Sequence, residues 1–89
     1  MPYSTADFMR LVHMAKDDNE KRKISEQVGE EIKKARKKAG LSQEVLSEEA
    51  GFYRTYVGHI EVGKYTPSIY TLYKIAKRLK VKVSSLIPF

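Results

Sequence analysis

The stretch from Gln43 to Glu61, QEVLSEEAGFYRTYVGHIE, constrains this chain more than any other. Its small, turn and apolar residues are spaced as two short helices crossing steeply over a tight turn require. Ser47 is small where the second helix must pass over the first, and Gly51, four residues on, tolerates the positive φ of the turn. Val57 and Ile60 are the inner anchors of the second helix, Leu46 and Ala50 line the first, and Phe52 plugs the turn. Each element is common alone; the joint spacing is specific.

Punctuation on either side sets the remaining elements. Ser4 followed by Asp7 reads as a capping box, and Phe8, Leu11, Val12 and Ala15 make an apolar stripe at i, i+3, i+4 and i+7. A first helix is therefore expected over about residues 5–19, ending in the charged run DDNEKRK. A second begins after Ser25, buries Val28, Ile32 and Ala35, carries the basic run KKARKK outward, and stops at Gly40. A third runs from Gln43 to Ala50 behind the cap Ser42, and a fourth from about Arg54 to Val62. Thr66-Pro67-Ser68 opens a fifth with Ile69, Leu72, Ile75, Ala76 and Leu79 as its stripe. Lys80–Val83 alternates like a strand without a partner, and Ser84 or Ser85 caps a short final turn through Ile87. The expected fold class is all-α, with an N-terminal helical extension over 1–24 and a helical domain over 25–89.

Composition narrows the function classes. The 89 residues suffice for one domain, and 42% apolar content supports a modest core. Lys and Arg number 17 against 11 acids, giving +6 and a pI near 9.6, which favours a polyanionic partner, nucleic acid or an anionic membrane surface. Most of that excess lies in residues 25–89, with 12 basic residues against 7 acidic. Cys is absent, which excludes disulfides and thiolate chemistry and suits a reducing compartment. His13 and His59 are the only histidines, so no metal site is expected. No apolar run approaches the roughly 18 residues that span a bilayer, and MPYSTADFMR lacks the layout of a secretory signal. A cytoplasmic protein without membrane contact is expected. Paired carboxylates, an activated nucleophile and a phosphate-cradling Gly loop are not recognisable, so neither enzyme activity nor a cofactor is expected.

With Val57 and Ile60 inward, Arg54, Thr55, Gly58 and His59 project outward at helical spacing. Such a face can enter a major groove, where the Arg54 fork suits guanine and Thr55 offers a hydroxyl and a methyl. Tyr53 and Tyr56 flank it. Gln43 at one helix start and Lys64, Tyr65, Thr66 and Ser68 after the other are candidate phosphate contacts.

Residues 29–87 resemble the Cro/phage-repressor-type (XRE-like) helix-turn-helix family, through KKARKKAGLSQEVLSEEAG, RTYVGHIEVGKYTPSIYTLYKIAKRL and VKVSSL. RTYVGHIE is also similar to the controller proteins of restriction–modification systems. The resemblance implies a five-helix DNA-binding domain, preceded here by an extra N-terminal helix. It implies base contacts at Tyr53, Arg54, Thr55 and His59, and an ion pair between Arg36 and Glu61 that orients the recognition helix. It implies a homodimer on a near-palindromic operator of double-stranded DNA, with Val83, Leu86, Ile87 and Phe89 in core and dimer contact. Three departures stand out: Ser47 where Ala is usual, Tyr53 in place of a small polar cap, and Lys80 where Gly often ends the fifth helix. The expected function is transcriptional regulation, as a repressor or restriction–modification controller. Two alternatives remain open: an antitoxin-type repressor that also binds a toxin through residues 5–19, and a protein-interaction adaptor that does not read DNA.

Overall fold

One 34-residue helix, α1 (Thr5–Lys38), runs through the computed structural model, which describes residues 4–89, with residues 11–17 as helical backbone. The sequence suggests two helices here; the chain forms one. No Gly or Pro falls between Thr5 and Val28, and the Glu, Lys and Arg of the charged run are good helix formers. Ser25 does not cap a new helix. Its Oγ donates to the Lys21 carbonyl at 2.8 Å, one turn back within the same helix. At 1.5 Å per residue α1 is about 51 Å long, which accounts for most of the molecule's 56 Å longest dimension. Ser4 caps its start by accepting from the Asp7 amide at 3.1 Å, and Arg36, Lys37 and Lys38 occupy its last turn, where cations suit the helix dipole.

The domain is built against the C-terminal half of α1. Three short elements follow: α2 (Gln43–Glu49), α3 (Tyr56–Glu61) and α4 (Ile69–Leu79), and the chain ends with a 3-10 turn at Val83–Leu86. No strand occurs among the described residues. Ser42 and Ser68 cap α2 and α4 through the amides of Val45 and Thr71, at 3.0 and 3.1 Å. The final turn starts two residues earlier than a cap at Ser84 would set it, with Lys82 at its cap position, and neither Ser84 nor Ser85 caps it.

Val28 and Ile32 of α1, Leu46 and Ala50, Val57 and Ile60, Leu72, Ile75, Ala76 and Leu79, and Leu86 form a single core. Ile69 is not part of it: it is 80% exposed at the first position of α4, before that helix turns onto the core. In the N-terminal stripe Phe8 is exposed, while Leu11, Val12 and Ala15 lie outside the residues whose side chains are described. Lys80 closes α4 in the left-handed conformation, φ 58° and ψ 40°, a position that favours Gly.

Candidate nucleic-acid interface

The α2–α3 unit is closed by its own backbone and one hydroxyl. Gly51 adopts φ +89°, and the Phe52 amide donates to the Ser47 carbonyl at 2.8 Å, which turns the chain back. The Ser47 hydroxyl is fully buried. It donates to the Gln43 carbonyl at 2.8 Å and accepts from the Val57 amide at 3.0 Å, so it satisfies a donor in the first turn of α3. Val57 and Ile60 point inward with no exposed surface. Arg54 and Thr55 are exposed in the turn leading into α3, which begins at Tyr56 rather than Arg54; Tyr53 is 54% exposed, and His59 is half-buried. The rings of Tyr53 and His59 lie 6.5 Å apart on that outer side. The sequence profile of the helix-turn-helix family matches residues 32–86.

This chain belongs to the helix-turn-helix family. It is 40% identical over 60 residues to the immunity repressor protein of Bacillus phage phi105, covering 67% of this chain and 42% of that repressor. It is 36% identical over 64 residues to the control protein C.SmaI of Serratia marcescens, covering 72% and 76% of the two chains. Its fold is similar to the crystal structure of the restriction–modification controller protein C.AhdI of Aeromonas hydrophila, with a TM-score of 0.68 and 32% identity, over 71% of this chain and 96% of that one. The relatives include a repressor and controllers, and this chain is a transcriptional regulator of the same family.

In this helix-turn-helix the second helix is held from behind by a buried ion pair. The Arg36 guanidinium donates from Nε and Nη2 to the two oxygens of Glu61, at 2.6 and 3.0 Å, with side chains 10% and 2% exposed. Its third nitrogen donates to the Leu41 carbonyl at 2.8 Å. The hydrogen bonds to Glu61 outweigh desolvation and hold the guanidinium pKa above its already high ordinary value. Gln43 joins the same carboxylate, donating from Nε2 to Glu61 Oε1 at 2.8 Å. Arg36 therefore leaves the solvent-facing basic run expected of KKARKK, while Lys34, Lys37 and Lys38 remain exposed. Gly29 permits this closeness between α1 and α3. A Cβ there would lie 2.3 Å from the Ile60 carbonyl oxygen and 2.8 Å from that of Glu61. Nothing in the sequence pattern singled out Gly29, since it sits inside a helix without punctuating it.

Several expected phosphate contacts have their polar groups engaged within the chain. Gln43 is turned onto Glu61. Ser68 accepts from the Thr71 amide and donates to its hydroxyl at 3.1 Å. Thr66 stands 2.7 Å from Ser25 Oγ; the single Ser25 proton goes to Lys21, so Thr66 is the donor. Lys64 and Tyr65 remain exposed, with the Lys64 ammonium 5.6 Å from the Tyr65 ring centroid. Tyr56 is half-buried, its hydroxyl 3.5 Å from that of Thr71.

An aromatic cluster, not expected as a unit, joins these pieces. Tyr56 packs on Phe52, Tyr53 and Tyr65 with centroid separations of 4.8, 5.0 and 6.0 Å, and His59 meets Tyr65 edge-on at 5.6 Å. The signal was present as four Tyr, one Phe and one His between positions 52 and 70, but spacing along the chain did not reveal that the loop after α3 folds back onto its outer face. Arg54 is oriented from the other side, donating to Glu48 of α2 at 3.1 Å. At the C-terminus Leu86 is wholly enclosed by its own chain, so the surface offered there is Val83 and Ile87, both half-buried, and Phe89, 71% exposed. No group of three or more His, Asp or Glu able to hold a metal occurs among the described residues.

Proposed function

We propose that this protein is a sequence-specific transcriptional regulator that binds a near-palindromic DNA operator as a homodimer, as a repressor or a restriction–modification controller. The observation that carries this reading is the ridge of exposed Tyr53, Arg54 and Thr55 with half-buried His59 beside them, fastened to the core by Ser47 and Glu61. These four side chains would read bases, with Arg54 taking a guanine through its fork. Lys64, Tyr65 and Tyr56 would grip phosphates beside them, with Gln43, Thr66 and Ser68 as polar neighbours whose present partners a phosphate must displace. Two recognition helices about 34–36 Å apart fit one turn of B-DNA. Val83, Ile87 and Phe89, backed by Leu86, supply an apolar patch for the second copy. The role is binding rather than catalysis, in the cytoplasm, and no helix among the described residues is long and apolar enough to cross a membrane. Residues 1–24 form an extension to the domain of residues 25–89.

Selection of duplexes from a random pool tests this reading. A recovered inverted repeat, bound with one dimer per site, supports it; recovery of no preferred sequence refutes it. The toxin-binding variant of the reading draws on Phe8 and Met9, each 59% exposed on the projecting part of α1. A stoichiometric complex that is lost on Phe8→Asp, with DNA binding kept, would select it.

A further inference from the structure

The projecting half of α1 does not leave the domain at random. It crosses the loop that follows α3, where Thr66 donates to Ser25. Lys21 and Arg22 lie four and three residues before Ser25, one turn further out on the same helix face. Together with Lys64 and Tyr65 they line an open groove of about 610 Å³. Tyr65 is shared: one side belongs to this groove, while its ring meets His59 of the recognition face at 5.6 Å. The groove is therefore continuous with the ridge that would enter DNA.

Its charge is cationic. Lys21, Arg22 and Lys64 face a single acid of the lining, Asp18. Arg22 also stands 3.8 Å from Glu26, but both side chains are more than half exposed, and such a pair is worth under about 1 kcal/mol. Long cationic side chains beside an aromatic ring and a hydroxyl suit a sugar-phosphate backbone.

We propose that Lys21 and Arg22 of the α1 extension hold DNA phosphates flanking the half-site, so that α1 lengthens the footprint beyond the helix-turn-helix. This rests on the DNA-binding reading above. The test uses the full chain and a Lys21→Ala/Arg22→Ala variant, on a duplex selected by the wild type, either with 15-bp flanks or trimmed to the half-sites. On the flanked duplex the variant's log K against log salt should be shallower by about 1–2 per chain, roughly 0.9 per lost phosphate contact. Flanking sugars protected from hydroxyl radicals by the wild type should become cleavable, with the ranking of sequences unchanged. On the trimmed duplex the two proteins should bind alike. Equal slopes and footprints on the flanked duplex overturn the proposal, as does an equal loss on both duplexes, which would mean diffuse attraction only. A wild type that binds no duplex overturns the DNA reading itself.

Discussion

The buried Ser47 hydroxyl accepts a hydrogen bond from the Val57 amide at 3.0 Å and thereby ties α2 to the first turn of α3. The helix is short, six residues from Tyr56 to Glu61, and Thr55 at its start makes no side-chain cap. One of its N-terminal donors, the Val57 amide, thus depends on the neighbouring helix. Ser47→Ala would leave the Val57 amide without a partner, a cost of about 1–3 kcal/mol, offset by up to about 0.7 kcal/mol of better helix propensity in α2. Urea unfolding should show a net loss near 1 kcal/mol, and an unchanged midpoint would contradict the role assigned to the hydroxyl.

The Arg36–Glu61 pair is bidentate and shielded, so its members are not separable. Removing one partner, as in Arg36→Met or Glu61→Leu, should cost about 3–5 kcal/mol, because the other charge is left buried. The double variant should be less destabilised than either single change, and strict additivity would argue against direct coupling. The raised Arg36 pKa means that its contribution is complete below the unfolded value and is lost only as pH rises through the still higher folded value. Raising pH from 7 to 10 should therefore leave the pair's coupling energy unchanged in a double-mutant cycle.

Gly29 inverts a general rule. In an open helix Gly→Ala stabilises by roughly 0.5–1 kcal/mol. Here the added carbon would meet the backbone oxygens of Ile60 and Glu61, which cannot rotate away. Gly29→Ala should destabilise by about 1–3 kcal/mol, the usual cost of overpacking. A thermal melt with a raised midpoint would show that α1 and α3 do not pack as described.

Lys80 offers the opposite sign. It is the only non-glycine residue with positive φ among the described residues. The left-handed conformation costs an L-residue roughly 1–2 kcal/mol, part of which Lys80→Gly should recover against the greater freedom of unfolded Gly. A rise in unfolding free energy of about 0.5–1 kcal/mol is expected from calorimetry, with DNA affinity unchanged.

Arg54 and Lys64 should fail in different ways on DNA. Arg54→Ala is expected to lower discrimination among operators by about 1–3 kcal/mol and to affect random DNA less. Lys64→Ala should weaken all duplexes alike and reduce the salt slope by about 1. Titration of each variant on a selected and a scrambled duplex separates the two, and an equal Arg54→Ala loss on both would remove it from base reading. Glu48→Ala frees Arg54 from an exposed pair worth under about 1 kcal/mol, so its effect on stability should be small.

Local chemistry was enough to place α2, the turn at Gly51, the cap Ser42, the start of α4 behind Thr66-Pro67-Ser68 and most of the core. Those features depend on residues within a turn or two of each other, through caps, positive φ and helical periodicity, so the order of residues records them directly. The pairing of Arg36 with Glu61 came through family resemblance, because 25 residues separate the partners. The unbroken course of α1 is not legible in the charged run, whose side chains favour helix but carry no apolar stripe to mark it. The tertiary structure alone decided that Gly29 lets α1 lie against α3, that Ser47 serves Val57, that Gln43 and Thr66 turn inward, and that Tyr65 joins the recognition face to the groove under Lys21. Each is a contact between residues distant in sequence, set by which helix faces meet. Periodicity determines which face of each helix is apolar, but not which atom of the facing helix will stand opposite it.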